Sequence, residues 1–165
     1  MGCNLDKLTT FKDNCGFGLL AHLKNKQTHQ NLEDAVTSLE RMMHRGAVGA
    51  DGKSGDGSGL LFSIPNDFMR KVALKNGVDL PKQFAIGMVF STDSKQLDTF
   101  KHYCEKNDLK VLLDRKVPVD TDALGKQALE ILPSINQIFV VPNTPVSAKR
   151  FEAMLYLARK EAEHK

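Results

Sequence analysis

Hydrophobic and polar positions recur along this chain with two different periods, and those periods predict its elements. Leu32, Ala35, Val36, Leu39, Met42 and Met43 follow helical spacing, which predicts a helix over 32–44 with one apolar stripe. Asn31 is its expected N-cap, Glu33 and Asp34 put carboxylates in the first turn, and Gly46 ends it. Ahead of it, residues 16–23 (Gly-Phe-Gly-Leu-Leu-Ala-His-Leu) read as a buried strand that opens on two glycines. Residues 60–64 read as another strand, closed by Pro65, and Asn66 or Asp67 then caps a helix that Asn76-Gly77 stops. Further on, strands are predicted over 84–91, 110–117 and 137–141, and helices over 95–107, 122–132 and 147–164. Alternating helices and strands without an internal repeat predict a layered domain of α/β or α+β type.

Six of the twelve glycines fall between Gly46 and Gly59, which makes that stretch a loop, expected to be flexible. Gly52-Lys53-Ser54 suggests a phosphate loop, but the glycine required five positions earlier is Ala47, and the stretch follows a helix rather than a strand. A calcium loop fails too, because Lys53 stands at a ligand position and Phe62 where a glutamate is needed.

Composition narrows the function classes. The 165 residues are 41% hydrophobic and 26% charged, as in ordinary globular domains, and 23 basic against 20 acidic residues leave +3. So even a balance, with no Trp and two Tyr, argues against nucleic acid. No apolar run approaches the ~18–20 residues that cross a bilayer, and residues 1–14 lack the apolar core of a secretory signal. The expectation is a cytoplasmic chain with neither membrane nor nucleic acid as partner.

Three cysteines, Cys3, Cys15 and Cys104, form neither a metal-ligand pattern nor a disulfide framework, so no metal site is expected. Cys104 falls on the stripe of the 95–107 helix and reads as a core residue. Cys15 stands between Asp13-Asn14 and Gly16-Phe17-Gly18. There it is either the first residue of a buried strand or a nucleophile approached across two small residues. Were the leader cleaved, its own α-amine, titrating near ~8, could take the thiol proton.

Three blocks weigh between those readings: Asp13-Asn14-Cys15-Gly16-Phe17-Gly18, then His44-Arg45-Gly46-Ala47-Val48-Gly49-Ala50-Asp51-Gly52-Lys53, then Gly55-Asp56-Gly57-Ser58-Gly59. In order and spacing they resemble the start of the large subunit of bacterial glutamate synthases. That domain is a class II glutamine amidotransferase of the N-terminal-nucleophile hydrolase group. The likeness extends through 84–90 and 135–141. It implies an α+β fold, the first portion of an αββα sandwich, truncated here, with the Cys15 strand in a central antiparallel sheet. It implies a propeptide at 1–14 and the N-terminal part of the amidotransferase domain at 15–165. Cys15 corresponds to the nucleophile that converts glutamine to glutamate and ammonia through a thioester. Arg45 corresponds to the arginine beside it, and Gly16 and Gly18 to the small residues behind it. Arg45 is also placed to complement the dipole at the end of the 32–44 helix. His44, Gly46, Asp51 and Asp56 lie in the motif loop without an assigned role.

The oxyanion-hole Asn-Gly pair and the glutamine-gripping residues lie beyond the matched stretch, so the resemblance implies an isolated chain without useful activity. Asn76-Gly77 is not that pair. FMN and an iron–sulfur cluster are implied for the full-length subunit and none in this chain. Implied partners are glutamine, the rest of the polypeptide and a small reductase subunit; ammonia would pass to 2-oxoglutarate. The competing readings are a non-catalytic assembly or binding fragment of the same fold, and another class II amidotransferase or amide hydrolase. The Gly55-Asp56-Gly57 block tells against the last.

Overall fold

A computed structural model describes residues 16–42, 45–55 and 57–164. Among these described residues eight elements follow one another: α1 His29–Arg41, α2 Asn66–Lys75, β1 Ala85–Ser91, α3 Ser94–Lys106, β2 Leu109–Lys116, α4 Lys126–Glu130, β3 Ser134–Pro142 and α5 Ala148–Glu163. The class is α+β, with one small antiparallel sheet in the order β1-β3-β2. The chain divides into two compact units, one built from the described residues up to Phe62 with Thr121–Glu130, the other from Ser63–Asp120 with the described residues from Ile131 onward.

The second unit holds the sheet. β3 is its central strand, pairing from Ala85↔Val140 to Ser91↔Ser134 on one side and from Leu109↔Pro142 to Lys116↔Asn136 on the other. Two partners explain why β3 runs beyond the expected 137–141, since each adds ladder hydrogen bonds at the strand ends. Alternation then sends neighbouring side chains to opposite faces. Ile138 and Val140 join Cys104 and Leu109 with Phe151, Met154 and Ala158 of α5, while Phe139 packs with Ala73 of α2 and Leu80. Gly87 leaves room for this packing: an added Cβ would lie 3.0 Å from Ile138 Cγ1.

Caps account for the helix bounds in this unit. Asp93 caps α3 by accepting the Lys95 N–H, and Ser147 caps α5 by accepting the Arg150 N–H. α2 starts after Pro65 with no side-chain cap, so neither Asn66 nor Asp67 serves as one. Arg70 secures the turn after α2 by donating to the carbonyls of Leu80 and Pro81, with its guanidinium 5.0 Å from the centre of the Phe84 ring.

In the first unit three expectations change. α1 begins at His29, because Thr28 rather than Asn31 is the cap, its hydroxyl accepting the Asn31 N–H at 3.3 Å. It ends at Arg41, not 44. Residues 16–23 form no strand: they are irregular with a turn at 22–25, and Phe17 is 93% exposed. Residues 60–64, which continue into the second unit, are likewise irregular and exposed. Both carry strand-like apolar residues, but a strand exists only when a neighbour supplies its ladder, and none of the described strands pairs with them. The sheet therefore does not contain the segment that follows Cys15.

Candidate functional site

Of the described candidate residues, Gly16 and Arg45 meet where α1 ends. Its stripe of Leu32, Ala35, Leu39 and Met42 is half-buried, and the turn beyond it is closed by the Arg45 N–H donating to Met42 O at 2.8 Å. Arg45 stands four residues past the last helical residue, with Arg41 as the cation of the last turn itself. Its aliphatic stem lies against Gly16. An added Cβ there would come 3.4 Å from Arg45 Cβ, 3.5 Å from Arg45 Cγ and 3.7 Å from Met42 Sδ. Two residues 29 positions apart in sequence are thus neighbours, and Gly16 directly follows Cys15. Gly18 faces open space, with nothing within 4 Å of an added Cβ. Gly46 is exposed. Cys15, His44, Asp56 and the leader 1–14 lie outside the described residues.

The glycine-rich loop is more ordered between 47 and 55 than its composition suggests. Val48 and Gly55 form an antiparallel bridge, the Gly49 N–H donates to Ser54 O at 2.5 Å, and the Gly52 N–H to Gly49 O at 3.0 Å. Gly52 has φ of +71°, the left-handed region that glycine enters at no steric cost. A Cβ at Gly55 would meet Ala47 O at 2.5 Å. Asp51 organises the turn. Its Oδ1 accepts the N–H groups of Ser54 at 2.7 Å and Lys53 at 3.1 Å; its Oδ2 accepts the Ser54 hydroxyl at 2.6 Å and the Gln127 N–H at 3.3 Å.

Those donors, the Ser54 hydroxyl first, hold the Asp51 carboxyl well below the usual carboxylate range against a small opposing effect of desolvation. A carboxylate with four donors on its two oxygens stays ionised and is a weak base. The same cluster meets the start of α4, which spans Lys126–Glu130 rather than the expected 122–132. Ser54 Oγ accepts the Ala128 N–H at 3.3 Å and Lys53 Nζ donates to Asp122 O at 3.3 Å. Gly125 is pressed into it: an added Cβ would lie 2.6 Å from Ser54 N and overlap the oxygens of Ser54 and Asp51. Sequence reasoning missed Ser54, Gly125 and Gln127, because no local signal joins residues more than seventy positions apart.

No described residues suit a cluster or metal. Among them no group of three or more His, Cys, Asp and Glu converges. The described cysteine, Cys104, is fully buried with its thiol pushed up to about 12 by desolvation and, less, by Glu105. No described helix is long and apolar enough to cross a membrane.

A family model described as glutamine amidotransferases class-II matches residues 15–165, starting on Cys15. The ferredoxin-dependent glutamate synthase 1 of Arabidopsis thaliana is 38% identical across 97% of this chain and 10% of its own length. The NADH glutamate synthase of Schizosaccharomyces pombe is 37% identical across 93% of the chain and 8% of its own. The NADPH glutamate synthase large chain of Bacillus subtilis is 34% identical across 92% and 10%. The chain spans about a tenth of the length of these relatives.

Proposed function

Because this chain belongs to the class II glutamine amidotransferases, we propose that it supplies the glutamine-hydrolysing site of a glutamate synthase. Cys15 is the nucleophile. Removal of residues 1–14 frees its α-amine, which titrates near ~8 and takes the thiol proton as sulfur attacks the side-chain amide carbon of glutamine. The tetrahedral adduct then loses nitrogen, which leaves as ammonia carrying that proton. Water hydrolyses the resulting γ-glutamyl thioester, releasing glutamate and restoring the thiol. Arg45 sets a permanent cation beside this centre, favouring thiolate over thiol and helping to hold the N-terminal residue.

One observation carries the reading: the stem of Arg45 packs on Gly16, the residue after the nucleophile. The start of the family match on Cys15 agrees with it. The finer fold assignment, the first portion of an αββα sandwich, belongs to the same proposal. So do passage of ammonia to 2-oxoglutarate on the rest of the polypeptide, a reductase subunit as partner and a cytoplasmic location. The relatives' names carry three electron donors, ferredoxin, NADH and NADPH, so this part of the chain does not distinguish among them. FMN and the iron–sulfur cluster belong, in this reading, to the rest of the full-length subunit, and the hydrolysis of glutamine uses neither.

The test is intact mass and glutamate release on the full-length protein. Mass should show residue 15 at the N-terminus. Cys15→Ser should abolish release, and Arg45→Ala should cost about 10²-fold, the scale of one lost electrostatic stabiliser. Hydrolysis that survives Cys15→Ser refutes the assignment.

A further inference from the structure

We propose that Asp51 is a positioning residue for this site: with Ser54 it ties the loop that begins at Arg45 to the start of α4, and so keeps the arginine stem on Gly16. The inference rests on the amide-hydrolysis reading and adds to it a residue that touches no substrate. The Arg45 side chain is exposed, so the path of its own loop must fix where its cation stands. That loop is closed on itself by the Val48–Gly55 bridge and by the Gly49 N–H donating to Ser54 O. It is anchored elsewhere by a relay in which the Ala128 N–H donates to Ser54 Oγ, the Ser54 hydroxyl donates to Asp51 Oδ2, and the Gln127 N–H donates to the same oxygen. Lys53 Nζ adds a bond to Asp122 O. Gly125 lies so close to the relay that a Cβ there would overlap the oxygens of Ser54 and Asp51.

Asp51 sits at the centre of this relay, accepting the Ser54 hydroxyl and the Gln127 N–H on one oxygen. Its four donors make it a weak base, yet a single amide nitrogen in place of an oxygen breaks the relay. In Asp51→Asn the Nδ2 placed where Oδ2 lies meets the Gln127 N–H donor to donor. Ser54→Ala removes the two hydroxyl links of the relay, from Ala128 and to Asp51, while leaving the Gln127 bond and the Asp51 charge in place. Misplacing a catalytic cation by about an ångström can cost ~10²-fold without any change in the reacting groups.

The experiment measures kcat and KM for glutamine hydrolysis by the full-length protein as wild type, Asp51→Asn, Ser54→Ala, Arg45→Ala and the Asp51→Asn/Arg45→Ala double variant. Cys15→Ser is the blank. The pH dependence of Cys15 alkylation by iodoacetamide and the melting temperature are read alongside. Asp51→Asn and Ser54→Ala should each lower kcat/KM by about 10- to 100-fold. Each should move the alkylation profile to higher pH, as Arg45→Ala does, and the double variant should lose no more than Arg45→Ala alone. Losses that multiply in the double variant overturn the inference. So does wild-type kinetics in both single variants with only a lowered melting temperature, the result of a merely structural role. If Asp51→Asn does not fold, Ser54→Ala decides by the same criteria. A Cys15→Ser protein that hydrolyses glutamine at the wild-type rate overturns the amide-hydrolysis reading, and this inference with it.

Discussion

Leu109→Ala should make Cys104 reactive without touching it. Leu109 and Cys104 are both 0% exposed and share one cluster with Ile138, Val140, Phe151, Met154 and Ala158. Desolvation lifts the thiol from 9.0 to about 12. At pH 8 about one thiol in ten is ionised at the ordinary value, against about one in 10⁴ at the raised one. Access adds a second barrier, because a reagent reaches a fully buried sulfur only after opening. For a domain of ordinary stability, about 5 kcal/mol, the open fraction is ~10⁻⁴. Native labelling should therefore be at least ~10³-fold slower than that of glutathione. Truncating a buried leucine typically costs about 3 kcal/mol, which enlarges the open fraction, and with it the labelling rate, by about 10²-fold. The assay is iodoacetamide labelling at pH 8, quantified on the Cys104 peptide by mass spectrometry, with urea unfolding of the same samples. Labelling of the unaltered protein within tenfold of glutathione, or a Leu109→Ala variant that loses stability without labelling faster, would refute the packing argument.

Two further outcomes follow from named contacts. Burial opposes the charge on Asp114, but Lys101 at 2.8 Å and the Asn136 side-chain amide at 2.7 Å prevail and hold its folded-state pKa below 3.8. That contribution is present above 3.8 and is lost as pH falls through the lowered value. Lys101→Met should accordingly flatten the acid limb of urea-melt stability between pH 2 and 5 by no more than about 1 kcal/mol, because solvent screens the pair; an unchanged limb counts against it. Gly125→Ala should speed hydrogen exchange at the Gln127 and Ala128 amides, whose acceptors the new methyl would displace, while Gly18→Ala should leave them unchanged because nothing lies within 4 Å. Equal protection in all three proteins would contradict the crowding at Gly125.

Much of this chain was legible one element at a time. The predicted helices 95–107 and 147–164 and the strands 84–91 and 110–117 match α3, α5, β1 and β2 within a residue or two at each end. Their signals are local: an apolar period, an Asp or Ser whose oxygen reaches an amide two or three residues on, a strand bounded by polar turns. Cys104 as a core residue was readable for the same reason. The motif blocks identified the family from residue identity and spacing alone, without geometry.

Tertiary structure decided whatever depends on a distant partner. Residues 16–23 and 60–64 have strand-like composition, but the hydrogen bonds that make a strand belong to a pair of segments, and the described sheet is built from other residues. β3 outgrew its predicted span because β1 and β2 flank it on both sides. Arg45 meets Gly16 across 29 positions of sequence, and Asp51 reaches the Gln127 amide across 76. A carboxylate in a glycine loop looks the same in sequence whether it binds a ligand, moves a proton or caps a remote helix. Only the donors that surround it in space, here two loop amides, a hydroxyl and an amide at the start of α4, decide among those roles.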